Sequence, residues 1–203
     1  METKQIVCPC CGKTVDIPLH EYSRGFDFNY SILINSYTEF FNLVDICPEC
    51  GYTMLFDNGI SDEMKEYVNS DIYRNILLDK ELDEGLKKWI LVAVMSEFDE
   101  NYTEAGIEYM KAYDYLELKG MDLNKRFIKK AASCFLRAAG EYTSFIDAIL
   151  AVDCLRRDED YDRARSFLKT TKETFQGELV DKLTQKEELW LDLRVTEKRY
   201  LDI

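Results

Sequence analysis

Two five-residue stretches hold the residue types best suited to chemistry in this sequence. Cys8-Pro9-Cys10-Cys11-Gly12 is answered 39 positions later by Cys47-Pro48-Glu49-Cys50-Gly51, and both read C-P-x-C-G. Two sulfurs three residues apart on a tight turn can reach one ion from the same side. Proline sets one turn dihedral, and glycine permits the positive φ that lets backbone amides point back at the thiolates. One such turn supplies half of a tetrahedral site, and two close it with four sulfurs: Cys8, Cys11, Cys47 and Cys50. Four protein ligands leave no position for water or substrate, so the spacing predicts one structural Zn2+ that folds the module rather than a catalytic metal.

The same spacing also serves thiol oxidoreductases, where it opens a helix in a βαβ setting. Here each motif passes through its glycine into a short strand-like run, Lys13 to Ile17 and Tyr52 to Phe56, with no helix start. That favours metal ligation over redox chemistry. Cys10 is a bystander on this reading, because Cys8 with Cys11 reproduces the second motif residue for residue; a swap to Cys10 stays open. His20, the one histidine, reads as an exposed loop residue because four cysteines already fill the site, although its imidazole is a competent ligand.

The elements that must position these ligands follow from composition and periodicity. At 203 residues and 46% hydrophobic, the chain can bury a substantial core, and its length allows a small domain followed by a larger one. Lysine and arginine number 26 against 39 acidic side chains, a net −13 that four zinc-bound thiolates would take to about −15. Met1 to Ile60 holds three basic and eight acidic residues, net −5, which leaves 23 basic and 31 acidic residues, net −8, for the remainder. A nucleic-acid-binding ribbon needs a positive surface to displace counterions, so this acidic one argues against that role. Met1 to Gln5 leads into the first motif without an apolar signal-peptide core, and the longest apolar run, Trp89 to Met95, is far short of a membrane span. A soluble, cytoplasmic protein is expected, with its seven cysteines as ligands and buried thiols rather than disulfides.

Strands are expected over Thr14 to Leu19 and Phe41 to Ile46, carrying the ligand turns. Between them, an aromatic-rich insert, Glu21 to Glu39, reads as packing that joins the ribbon to the next domain, with a recognition loop as the other reading. Asp57-Asn58-Gly59 signals a turn and Ser61-Asp62-Glu63 a helix start, which sets the boundary near Gly59: a four-cysteine zinc ribbon over 1–59 and a helical domain over 60–203. All three prolines, Pro9, Pro18 and Pro48, precede residue 50. Beyond it, apolar residues recur at helical spacing, predicting helices near Asp62 to Asp79, Asp83 to Phe98, Thr103 to Lys119, Asn124 to Ala139, Tyr142 to Arg157, Tyr161 to Phe175 and Glu178 to Tyr200. The fold class is therefore α+β, a small N-terminal β zinc ribbon followed by an all-α helical-hairpin domain.

Two hairpins repeat. Glu100-Asn101-Tyr102-Thr103-Glu104-Ala105 aligns with Glu159-Asp160-Tyr161-Asp162-Arg163-Ala164. The tetratricopeptide pattern of small and large residues fits both: Trp89, Val92 and Ala93 with Ala105 and Tyr109, then Ala148, Ala151, Val152 and Leu155 with Ala164 and Leu168. Ser96 and Val152 depart from it, and the copies lie 59 residues apart. Ala131, Phe135 and Ala138 make a half-match between them.

This combination resembles a bacterial family known as domain of unknown function 2225. The resemblance rests on the N-terminal C-P-x-C, on Ile46-Cys47-Pro48-Glu49-Cys50-Gly51-Tyr52 with an acidic helix after it, and on the alanine-rich helices ending in Ala148 to Leu168. It implies a zinc ribbon fused to TPR-like helices and leaves activity open.

Catalytic signatures are missing. No G-x-G-x-x-G, Walker A, G-x-S-x-G or H-E-x-x-H pattern occurs, the carboxylates read as solvated helix faces, and Cys134 and Cys154 read as small buried hydrophobes. Stacked hairpins instead suggest a groove for a protein or peptide partner, lined by Ile90, Val94 and Phe98 and by Ile149, Asp153, Arg156 and Arg157. Lys125, Arg126, Lys129 and Lys130 form a second basic spot that reads chiefly as a solvated helix face. Such a partner would be an acidic protein segment. The first expectation is a non-catalytic adaptor, the second a thiol redox or metal-dependent enzyme, and the third a nucleic-acid-binding ribbon.

Overall fold

The structure is a computed structural model, and it describes residues 3–18, 45–54, 60–121, 125–140 and 144–197. His20, the aromatic insert over 21–39 and the turn at 57–59 that carries the Gly59 boundary lie outside the described residues. The chain divides into two compact units, Met1–Glu100 and Asn101–Ile203. Among the described residues are four short strands followed by eight helices, an α+β architecture.

In the first unit, β1 (Thr3–Val7) pairs antiparallel with β2 (Thr14–Pro18), Val7 opposite Thr14 and Thr3 opposite Pro18. β3 (Asp45–Ile46) pairs antiparallel with β4 (Thr53–Met54). Each C-P-x-C-G stretch is thus the turn of a β-hairpin. The β2 segment follows the alternation of its sequence, with Val15 and Ile17 buried and Asp16 exposed. β1 lies where the sequence predicts no strand; its Ile6-Val7 pair is the local signal, and pairing with β2 completes it.

Three helices complete this unit. The stretch expected as one helix from Asp62 to Asp79 is two, α1 (Asp62–Val68) and α2 (Asp71–Leu78). Asn69 and Ser70 make the break: the Asn69 amide donates to the Lys65 carbonyl at 2.8 Å, and the Ser70 hydroxyl accepts from the Tyr73 amide, restarting the helix. α3 (Glu84–Phe98) begins on Asp83, whose carboxylate accepts from the Gly85 and Leu86 amides at 2.8 and 3.3 Å. α3 is buried on every face from Trp89 to Val94 and packs on α1, α2 and β4.

The second unit holds α4 (Tyr102–Leu118), α5 (Arg126–Ala138), α6 (Phe145–Arg157), α7 (Tyr161–Thr174) and α8 (Glu178–Asp192). Each packs against the next in sequence, and α6 also touches α8. Small residues permit the approach: a Cβ at Gly106 on α4 would lie 2.8 Å from the Phe135 ring on α5. α7 buries Ala164, Leu168 and Thr171, one stripe at helical spacing, while α6 is buried nearly all round. α8 stops at Asp192, short of the expected Tyr200. Arg194 takes a φ of 52° there, and the Val195 amide closes back on the Trp190 carbonyl at 2.9 Å. No helix among the described residues is long and apolar enough to cross a membrane.

Candidate metal centre

The two hairpin turns share one hydrogen-bond pattern, residue for residue. The Gly12 amide donates to the Cys8 carbonyl at 2.8 Å and the Cys8 amide to the Lys13 carbonyl at 2.9 Å; Gly51, Cys47 and Tyr52 repeat this at 2.8 and 2.8 Å. Gly12 and Gly51 both adopt positive φ, 72° and 76°. The repeat of five residues in sequence is therefore a repeat in backbone conformation, and it turns two sulfurs of each knuckle the same way.

Cys8, Cys11, Cys47 and Cys50 converge, their sulfurs all within 4.8 Å of one another. Across the knuckles, Cys8 Sγ stands 3.7 Å from Cys50 Sγ, and Cys11 Sγ stands 4.0 Å from Cys47 Sγ. A tetrahedron of zinc–thiolate bonds about 2.3 Å long has an edge of about 3.8 Å. The four free thiols are thus spaced for one tetrahedral ion, and no other group of three or more potential ligands occurs among the described residues. With sulfur at all four corners, the site offers an ion no open position.

The surroundings suit a metal that brings its own charge. Burial pushes the Cys8 and Cys50 thiols above their ordinary value, whereas the Lys13 amide holds Cys11 below it. Buried thiols kept protonated are poor nucleophiles, and they deprotonate when a cation takes the proton's place. Cys10 remains outside the four-sulfur group. Burial raises its half-buried thiol. Lys13 and Glu49 pair between the two knuckles, an exposed contact of small energetic weight.

Helix α2 supports the second knuckle. Tyr73, fully buried, donates its hydroxyl hydrogen to the Gly51 carbonyl at 2.9 Å and lies 2.7 Å from Thr53 Oγ1. Nothing in the sequence marks Tyr73 for this role, since its partners lie 20 and 22 positions away.

The residues expected to line a groove are mostly interior. In the first unit Ile90 and Val94 are buried in α3, and Phe98, 41% exposed, stacks on Tyr67 at 4.3 Å. In the second, Ile149, Arg156 and Arg157 are buried on α6, with Asp153 between the two arginines. Arg156 donates to Asp153, to Glu187 on α8 at 3.2 Å and to the carbonyls of Val195 and Glu197. Arg157 pairs with Asp114 and with Glu117 on α4, the latter at 3.2 Å. Both guanidinium groups are engaged inside the unit. Carboxylates outnumber arginines in this cluster, and burial pushes Asp114 up to about 6 and Glu187 up to about 8. Glu108, buried beside Lys111, is pushed up to about 7 by the same cause. These three are not the solvated faces their helices suggested.

The second basic spot is also engaged. Lys125 pairs with Glu159 at 2.7 Å, Lys129 with Asp158 at 3.9 Å, and Lys130 donates to the Tyr109 hydroxyl at 3.2 Å. Arg126 lies over the Phe127 ring. Cys134 and Cys154 are buried as expected, and burial holds Cys154 well above the ordinary thiol value. An open cleft of ≈ 350 Å³ between α7 and α8 is lined by Arg165, Lys169 and Lys172, each paired with a carboxylate. No protein-family model, curated protein or solved structure matches this chain.

Proposed function

We propose that this chain is a cytoplasmic, non-catalytic adaptor whose N-terminal hairpins are stapled by one structural Zn2+ held by Cys8, Cys11, Cys47 and Cys50, and whose TPR-like helices bind another protein. The observation that carries the metal reading is the closure of four sulfurs within 4.8 Å, with cross-knuckle spacings near a tetrahedral edge. A centre with every corner occupied by thiolate stabilises a fold and has no place to activate water or substrate. On this reading the chain is built like the domain of unknown function 2225 family that its sequence resembles, a ribbon fused to TPR-like helices. Arg156 and Arg157 make internal ion pairs, and on this reading they hold the helices that present the partner surface.

A second reading, a thiol redox protein, draws on Cys10, a fifth, half-buried free thiol inside the first knuckle. Thiol labelling of the native, metal-loaded chain separates the two. An adaptor labels slowly at every ligand and at no faster rate at Cys10 than an ordinary half-buried thiol. One thiol that labels much faster than the rest, and whose loss leaves the metal bound, would replace the adaptor with the redox protein.

A further inference from the structure

The two knuckles match in their own geometry and differ in what supports them. A Cβ at Gly12 would meet nothing within 4 Å, and Val7, which leads into the first knuckle, is 63% exposed. A Cβ at Gly51 would lie 2.2 Å from Leu77 Cδ2, so α2 is pressed against the second knuckle. Tyr73, one turn before Leu77, is tied to that knuckle by hydrogen bonds. A phenol has one hydrogen, and here it goes to the Gly51 carbonyl; the bond to Thr53 is therefore donated by the threonine. Gly51 follows Cys50 directly, and Thr53, two residues further on, opens β4 at the second knuckle's exit. Tyr67 on α1 packs edge-on against the Tyr73 ring, centroids 6.1 Å apart, and stacks on Phe98 of α3. The path from a ligand to three helices is short, and its first link, Tyr73, is fully buried.

We propose that Tyr73 is a positioning residue for the metal: its hydroxyl fixes the Gly51 carbonyl and with it the Cys50 thiolate, so metal affinity and the packing of α2 are one coupled quantity. This rests on the reading of the four cysteines as a metal site. A ligand held in place beforehand loses less freedom when the ion arrives, and groups that orient ligands typically contribute 10- to 100-fold in metal affinity. Coupling of this kind is reciprocal. If α2 holds the knuckle for the ion, the ion holds the knuckle for α2.

Tyr73→Phe removes the hydroxyl and keeps the ring. In the full chain, Zn2+ affinity measured by competition with a chromophoric chelator should fall about tenfold, while Tyr67→Phe leaves it unchanged. A merely structural role would lower thermal stability and leave affinity alone. In the unaltered chain, stripping the metal should speed amide hydrogen exchange across α2 together with Cys47 to Thr53, a test that holds even where the variant does not fold. Equal affinity of Tyr73→Phe and the unaltered chain, or α2 exchange indifferent to metal, overturns the coupling and leaves the metal site standing. An unaltered chain that takes up no Zn2+ overturns both.

Discussion

Arg157 on α6 and Asp114 on α4 form an ion pair inside the second unit, joining positions 43 apart in sequence with both side chains buried. A guanidinium that deep is tolerable only while its carboxylates remain, and the converse holds for Asp114. Arg157→Ala should therefore destabilise the protein by about 3–5 kcal/mol, because an uncompensated buried carboxylate is left behind. Replacing both, as Arg157→Met with Asp114→Leu, should recover much of that loss. Chemical denaturation followed by far-UV circular dichroism measures it, and a loss under about 1 kcal/mol would mean that the pair is solvated.

Stability should fall with rising pH across the neutral range. Burial holds Asp114, Glu108 and Glu187 at about 6, about 7 and about 8, above the ordinary carboxylate range, so the folded chain keeps protons that the unfolded chain has released. A raised folded value contributes stability that is fully present below about pH 4 and lost as pH climbs through the folded values. In metal-stripped protein, where the proton release that accompanies thiolate ligation plays no part, thermal midpoints should drop between about pH 5 and about pH 8, and Glu187→Gln should flatten the upper part of that drop. A midpoint that rises over this interval would contradict the burial of these carboxylates.

The two knuckle glycines should respond unequally to alanine. Both hold positive φ, a conformation that costs an alanine about 1 kcal/mol or more. At Gly12 that is the whole penalty, since the space beyond is open, whereas at Gly51 the new methyl also strikes Leu77. Gly51→Ala should weaken Zn2+ binding more than Gly12→Ala in a chelator competition, and equal losses would show that the Leu77 side chain swings aside without moving the knuckle.

Glu159 is a site where the chain accepts strain. It takes a φ of 70° after α6, and its amide donates to the Arg156 carbonyl at 3.0 Å. Glycine suits that position, so Glu159→Gly should stabilise the protein by about 0.5–1 kcal/mol in spite of losing the exposed pair with Lys125. Denaturant midpoints report this directly, and a destabilised variant would point to a larger role for the Lys125 pair.

The four-cysteine cluster is legible in the sequence because its chemistry is local: two sulfurs and a glycine within five residues define a knuckle before any tertiary contact forms. Helix starts at Ser61 and Asp83 are legible for the same reason, each residue capping the helix that follows, whereas the helix expected from Tyr142 begins at Phe145 behind its Ser144 cap. The break at Asn69-Ser70 carries a cap signal as well, but the apolar periodicity runs through it. Arg156 and Arg157 read as lining a groove because the tetratricopeptide pattern puts them on the inner face of a hairpin. Their carboxylate partners at Asp114, Glu117 and Glu187 lie 31 to 43 positions away, and only packing brings them together. Tyr73 is invisible on the same ground, because its hydroxyl serves a turn 22 residues earlier.

The most direct measurement is elemental analysis of the chain purified without added metal or chelator, paired with a thiol count before and after chelation. One zinc per chain, with four thiols that become reactive only when the metal is removed, is the result expected of a closed four-thiolate centre. A chain without metal, or one in which a pair of these cysteines is found as a reducible disulfide, would contradict it.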